Sequence, residues 1–346
     1  MTARAWLNGR ASGIAVALLL LPAVVLAQDA SQKAATQPAA SAKVSWQMTT
    51  EYPQSNISGV GLTTFARLVA ARTDGFVTVT ASFDNALKIS SGEMLRATET
   101  GRISGGDAFA GPLEASDPIF GLASLPFVVQ SVEAARTVNA KARPLYEKAL
   151  AAHGSKLLYM TIWPSTGLWS ERALVSTDDL RTLAVRTYDY NSAEVMRAAG
   201  ARADYLPFND AIAKVRDHQL NAILTSGDGG AGRKLWDYLR HFTPINYAVP
   251  ISLAFIRTDA FQALPNDVQA EVMAAAAETE KSQFDLLANR TAENYAQMRA
   301  NGVTIADSVP SSIATALREA AHAPVDAWKA KVGAEAAAIV DGAGRH

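Results

Sequence analysis

The chain has 346 residues, 49% of them hydrophobic and 19% charged, with a formal net charge of −1 and no cysteine. That balance excludes a basic footprint for DNA, RNA or anionic lipid. The lack of cysteine excludes disulfides, thiolate metal sites and a cysteine nucleophile.

The N-terminus reads as a secretory signal. Arg4 and Arg10 precede the apolar run Ile14 to Ala27, which contains Pro22 and ends in Val25-Leu-Ala27, and no acid appears before Asp29. The run is about 14 residues, short of the roughly 20 that cross a bilayer. A basic start, a short apolar stretch and small terminal residues predict cleavage after Ala27 and a periplasmic protein. Without those two arginines the balance is 30 basic against 33 acidic residues. Gln28 to Lys43 is rich in Ala, Ser and Gln and predicts a flexible tether. The remaining roughly 300 residues suffice for two compact α/β domains.

From Val44 onward, strand-like and helix-like segments alternate. Val44–Met48 reads as a strand; Leu62, Phe65, Ala66 and Val69 recur at helical spacing until Asp74-Gly75. Phe76–Thr80 is β-prone, a short helix covers Glu93–Glu99, and a short strand is expected around Ile103. A helix follows over Val132–Ala152, then strands at Lys156–Trp163 and Leu183–Tyr188. A helix over Ser192–Ala199, another opened by Asn209-Asp210, and a strand at Leu220–Thr225 complete this part. Such alternation predicts mostly parallel sheets flanked by helices. Pro265 opens a helical stretch without a breaker until Asn301-Gly302. At 1.5 Å per residue it reaches about 50 Å, longer than one half-chain domain, so a helix bridging two lobes is expected. Ala274–Ala277 and the polar run Glu278–Ser282 disrupt a coiled-coil seam.

Few residues carry specific chemistry. Gly227-Asp-Gly229-Gly-Ala-Gly232 matches G-x-G-x-x-G, but no acidic residue follows at the expected strand end, so a loop with close backbone approach is expected instead. The five histidines are scattered without metal-ligand spacing. No nucleophile elbow or zinc-protease motif occurs. Catalysis and cofactors are therefore not expected. Arg186 differs, since it lies near the C-terminal end of an apolar strand, where an open α/β sheet faces its ligand crevice. A guanidinium there can hold a carboxylate bidentately; an internal ion pair with Asp189 or Asp204 is the alternative.

The surrounding motifs resemble a known family. Ser170-Glu-Arg-Ala-Leu174, Asp179-Leu180 and Leu183-Ala-Val-Arg186 are similar to a signature of the periplasmic solute-binding subunits of TRAP (tripartite ATP-independent periplasmic) transporters, DctP-type. Met196–Gly200 with Leu206–Asp210, Ser91–Leu95 with Gly101, Leu125-Pro-Phe127 and Ala263–Gln269 fall where that family has its own versions. The similarity covers roughly Val44 to Val332. It implies a two-lobed periplasmic-binding-protein-like α/β fold with a long bridging helix, a carboxylate ligand anchored by Arg186, and delivery to a membrane permease, with a monomer as the default state. It places lobe I at residues 44–163 and 250–283, lobe II at 164–249 and 284–335, and a C-terminal tail at 336–346.

Departures from the family pattern shape the expected ligand. A second arginine of some members would fall at about Thr166, the family's Asn region is replaced by Thr225-Ser226, and Phe109 stands where others can place a polar or acidic residue. Tyr52, Trp163, Trp169, Tyr188 and Phe208 lie in or near cleft-lining segments, although Trp169 and Tyr52 could equally be core. Fewer polar partners and more rings imply one carboxylate on an apolar or aromatic body. The competing readings are an exported two-lobed hydrolase or lyase, and a receptor for a membrane sensor.

Overall fold

A computed structural model describes residues 43–343; the expected signal segment and nearly all of the tether lie outside the described residues. The chain begins with β1 (Val44–Thr49), α1 (Ile57–Arg72) and β2 (Val77–Ser82). It continues through α2 (Ser91–Glu99), β3 (Gly105–Phe109), α3 (Val132–Ala152) and β4 (Ser155–Ile162). Local signals set these boundaries. Ser90 and Glu93 form a capping box at the start of α2, and the Ser131 hydroxyl caps α3 by accepting from Ala134 N–H, satisfying donors that have no partner inside a helix. The expected strand around Ile103 begins instead at Gly105, where the backbone presses on Phe255 and Ile256 of a neighbouring strand. Small residues are needed at that approach, and Ile103 turns into the core before it.

Two connections then cross to a second sheet. After the short link 163–165 come β5 (Thr166–Ser170), α4 (Thr177–Arg181), β6 (Ala184–Thr187), α5 (Tyr190–Ala198), β7 (Arg202–Tyr205) and α6 (Phe208–Arg216). They are followed by β8 (Ala222–Ser226), α7 (Gly227–Gly232) and β9 (His241–Thr243). Residues 244–250 return the chain to the first sheet as β10 (Ile251–Arg257), followed by α8 (Thr258–Gln262). Last come α9 (Asn266–Ala300), β11 (Thr304–Ile305), α10 (Ser311–Val332) and α11 (Ala334–Ala343). Residues 336–343 of the stretch read as a C-terminal tail belong to α11, which packs on α3 and α10 and buries Ala336 and Val340.

The first sheet has strand order β2-β1-β3-β10-β4 and the second β11-β9-β5-β8-β6-β7. Both are mixed. β10 runs antiparallel to β3 and β4, and β5 antiparallel to β8 and β9, while the remaining ladders are parallel. The antiparallel strands are those that follow the two crossings, because each enters its sheet from the opposite end. The crossings are bound together: Trp163 N–H donates to Pro250 O at 2.8 Å, Thr166 N–H to Ala248 O at 2.9 Å, and Tyr247 N–H to Thr166 O at 3.0 Å.

The helix α9 is 35 residues long, about 52 Å. Its first half packs on α1 and β4 of the first sheet; its second half reaches α7 and β11 of the second. Val272, Ala275, Ala276 and Thr279 are buried under α1, and Asn294 and Met298 under α7. One apolar cluster fills the space between α1, the first sheet and this helix, centred on Trp46, Phe65 and Tyr159. A larger one continues through both sheets.

Candidate functional site

The space between the sheets holds a small, tightly lined cavity. Tyr52, Phe109 and Trp163 reach it from the first sheet and its crossing; Thr166, Arg186, Tyr188 and Phe208 reach it from the second. Thr225 and Ser226, at the end of β8, complete it together with Pro250. Nine of the ten cleft candidates read from the sequence meet at this one place, all but Trp169. Pro250 was not among them; it arrives through the return crossing, which no motif marked.

Strand direction explains the convergence. β6 and β8 are parallel neighbours, and Arg186 lies beside Ile223 and beside Asp204 of β7. Their C-terminal ends therefore point the same way, at the crevice where the helices begin. Leu206-Pro207 follows β7, and Phe208 opens α6 directly beneath the arginine. The Arg186 guanidinium carbon stands 4.7 Å from the centroid of the Phe208 ring, and its Nε donates to Leu206 O at 2.8 Å.

Arg186 is 2% exposed, and no carboxylate lies within ion-pair distance of it among the described residues. The internal partners expected as alternatives are engaged elsewhere. Asp204 pairs with Arg197 at 2.9 Å, and Asp189 caps α5, accepting from Ser192 N–H at 2.8 Å. Burial pulls the Arg186 pKa below its ordinary value, countered by the fields of Tyr52 and Glu51. A buried cation without a partner anion is costly, because desolvation has no compensating attraction. The cavity wall thus presents a cation whose charge an anion could match.

Around the cation, rings shape the rest of the space. Tyr52 lies 4.7 Å from Trp163 and 6.3 Å from Phe109, and Phe109 stands edge-on to Tyr188 at 5.2 Å. Trp163 is held by a 2.9 Å bond from its Nε1 to Ser252 Oγ. Behind the wall, Tyr247 supports Tyr188 at 6.2 Å, and Phe127 supports Tyr247 at 5.4 Å. Burial pushes the Tyr52 and Tyr188 pKa values well up, so both hydroxyls keep their protons at neutral pH. Trp169 does not reach the cavity. It is buried against Phe242 and the backbone of Gly230, with its Nε1 donating to Ser226 O at 3.2 Å.

The G-x-G-x-x-G segment forms the short helix α7, where a loop was expected, capped by the Ser226 hydroxyl accepting from Gly229 N–H at 3.1 Å. Close approach is the reason for its glycines. A Cβ on Gly229 would strike Thr225, on Gly230 the Trp169 ring, and on Gly232 the Asn56 side chain. Two further residues next to cavity-lining ones carried no signal in the sequence. Arg233 lies 5.5 Å from the Phe208 ring, and Glu51 receives Ser91 N–H at its carboxylate. Their contacts form only between segments far apart in the chain.

The comparisons agree with this architecture. The family profile described as bacterial extracellular solute-binding protein, family 7 (DctP) matches residues 48–331. DctP7, a Bordetella pertussis extracytoplasmic solute receptor crystallised binding pyroglutamic acid, is 25% identical with a TM-score of 0.83, over 87% of this chain and 100% of its own. A TRAP solute-binding protein from a marine metagenome, specific for pyroglutamate, is 25% identical with a TM-score of 0.82, over 88% of this chain and 99% of its own. A TRAP solute-binding protein of Sulfitobacter, with bound β-D-galacturonate, shares the fold at 16% identity and a TM-score of 0.78, over 86% of this chain and 98% of its own. No curated protein sequence matches the chain. With its two sheets, bridging helix and matching family profile, the chain belongs to the bacterial extracellular solute-binding proteins of family 7, the receptors that serve the membrane permeases of TRAP transporters.

Proposed function

We propose that this receptor captures a compact monocarboxylate with a small ring, of the pyroglutamate kind, and releases it unchanged to its permease. The observation that carries the reading is Arg186, a buried guanidinium in the cavity wall with no carboxylate within ion-pair distance among the described residues. Its planar fork matches a carboxylate, and the ligand's charge supplies the missing partner.

The remaining surfaces limit the body of the ligand. Phe109, Trp163, Tyr52 and Phe208 offer ring faces and edges around a small, tightly lined space. Besides Arg186, polar side chains on the wall are Thr166, Thr225, Ser226, Tyr52 and Tyr188, and the buried Tyr188 hydroxyl has no hydrogen bond of good geometry among the described residues. A lactam N–H and C=O would meet such groups, whereas a polyhydroxylated sugar acid would leave several hydroxyls without partners. The two relatives at 25% identity that bind pyroglutamate support the same choice.

Capture proceeds by closure of two lobes, residues 44–163 with 250–283 against 164–249 with 284–335. Ligand contacts from both sides favour the closed state by their difference between the two states, with the paired crossings and the middle of α9 absorbing the movement. The N-terminal segment ending at Ala27 directs export and is removed. A thermal-shift screen of small carboxylates tests the reading. L-Pyroglutamate is expected to raise the melting temperature, and sugar acids are not; the reverse ranking would overturn the ligand class.

A further inference from the structure

We infer that the glycine-rich helix α7, with Asp228 at one end and Arg233 just beyond the other, is an interlobe clasp that holds the receptor closed. Its residues act by positioning the lobes, and they touch the first lobe on two separate footings.

The first footing is buried. Asp228 is 1% exposed, and its carboxylate accepts Ile57 N–H at 2.9 Å and the Asn56 side-chain amide at 3.1 Å. Asn56 also donates to Asp228 O at 2.6 Å. Ile57 is the first residue of α1, and no side chain of its own segment caps that helix. The cap is instead supplied from 171 residues away by the opposite lobe, and its negative charge complements the helix terminus. Arg290 in the middle of α9 pairs with the same carboxylate and also donates to Ser55 O. This footing therefore joins α1, α7 and the bridging helix.

The second footing lies nearer the surface. The Arg233 guanidinium pairs with Asp84 and donates to Glu51 O at 2.7 Å. Its side chain is 11% exposed, against 61% for Asp84. Asp84 and Asn85 follow β2 and hold positive φ angles of 57° and 54°, a conformation that costs energy for residues with a Cβ. Asp84 N–H is anchored on Tyr52 O at 2.8 Å, so this loop and the cavity wall move together.

Both footings belong to one rigid piece. Thr225 and Ser226 line the cavity, Ser226 caps α7, and Arg233 leaves its end. Gly232 is the residue whose missing side chain admits Asn56. The last glycine of the motif is thus explained by lobe-to-lobe contact, and Gly229 and Gly230 by packing against Thr225 and Trp169. Because the clasp is made of protein groups alone, it gives even the ligand-free receptor a closed population.

The cysteine-free chain permits a direct test. Spin labels at Thr80→Cys and Val175→Cys, both exposed positions on opposite lobes, report the interlobe distance. The ligand-free protein is expected to show a short-distance population that shrinks in Asp84→Asn and nearly vanishes in Arg233→Met, with the double variant no worse than Arg233→Met alone. Arg233→Lys should restore part of it. With L-pyroglutamate as probe, both variants should release it about tenfold faster while Arg186 is untouched. Asp84 is exposed, so its variant remains folded even if Arg233→Met does not. A wild type with no short-distance population, or variants with unchanged distances, would overturn the clasp. Failure of L-pyroglutamate to bind the wild type would instead count against the proposed ligand, and leaves the ligand-free distances to decide the clasp.

Discussion

Arg186 and Phe208 form a stacked pair, the guanidinium carbon 4.7 Å from the ring centroid, at the junction where β6 ends and α6 begins. The ring covers one face of the cation and Leu206 O takes its Nε hydrogen. A flat, apolar cover leaves the guanidinium edge as the place where an anion can gain full charge-assisted bonds. Loss of the charge should be severe. Arg186→Ala is expected to cost about 2–5 kcal/mol of binding free energy, and Arg186→Lys should recover little, because an ammonium lacks the fork. Phe208→Leu should keep the fold and weaken binding less than Arg186→Ala, a ranking that isothermal calorimetry can check.

The polar atoms that share the cavity wall with the cation are expected to set selectivity. Tyr188→Phe and Thr225→Val each remove one hydroxyl from the wall with little change in volume. Each should weaken L-pyroglutamate about five- to tenfold, the worth of one hydrogen bond. Cyclopentanecarboxylate, which has the ring and the acid but no lactam, should bind both variants as it binds the wild type. Competition titrations with the two acids separate these outcomes.

Stability should fall as pH rises toward neutral. Asp107 is fully buried on β3, and burial pushes its pKa up from the usual carboxylate range to about 7, partly offset by the hydrogen bond from Ser58 and the nearby hydroxyls of Ser252 and Tyr159. Asp189 is likewise raised to about 6 by burial. A carboxyl whose folded pKa exceeds its unfolded value binds its proton more tightly in the native state. Its contribution is complete below the unfolded pKa, near 4, and is lost as pH climbs through the folded pKa. The melting temperature should therefore decline between about pH 4 and pH 7. Asp107→Asn, which retains the shape, should flatten part of that decline; an unchanged profile in the variant would remove Asp107 from the explanation.

Gly230→Ala tests the packing of α7. Alanine would normally favour a helix by about 1 kcal/mol, but its Cβ would collide with the Trp169 ring. Overpacking of this kind costs about 1–3 kcal/mol, so a lower melting temperature is expected. Gly154→Ala is a useful contrast, since that glycine has open space around it but a φ of 63°.

Much of this site is legible in the residues, for identifiable reasons. Arg186 stands out because an ionised group in the apolar run Leu183–Val185 needs a reason to be there. The bridging helix follows from length alone, since 35 residues cannot fold within one lobe. Trp169 was harder to assign, yet strand parity decides it: three residues from Thr166 on β5, it points to the opposite face, toward Phe242 and Gly230. Other features had no local signature. β9 has only three residues and β11 two, too few for a pattern. Arg233 and Asp84 look like any surface charges until lobes 149 residues apart in sequence are brought together.

The central claim is that Arg186 holds the carboxylate of a small ring acid, and calorimetric titration of L-pyroglutamate into wild type and Arg186→Ala tests it most directly. Saturable one-site binding to the wild type, weakened by about 30-fold or more in the variant, is the predicted result. Near-native affinity in a folded Arg186→Ala protein would contradict it.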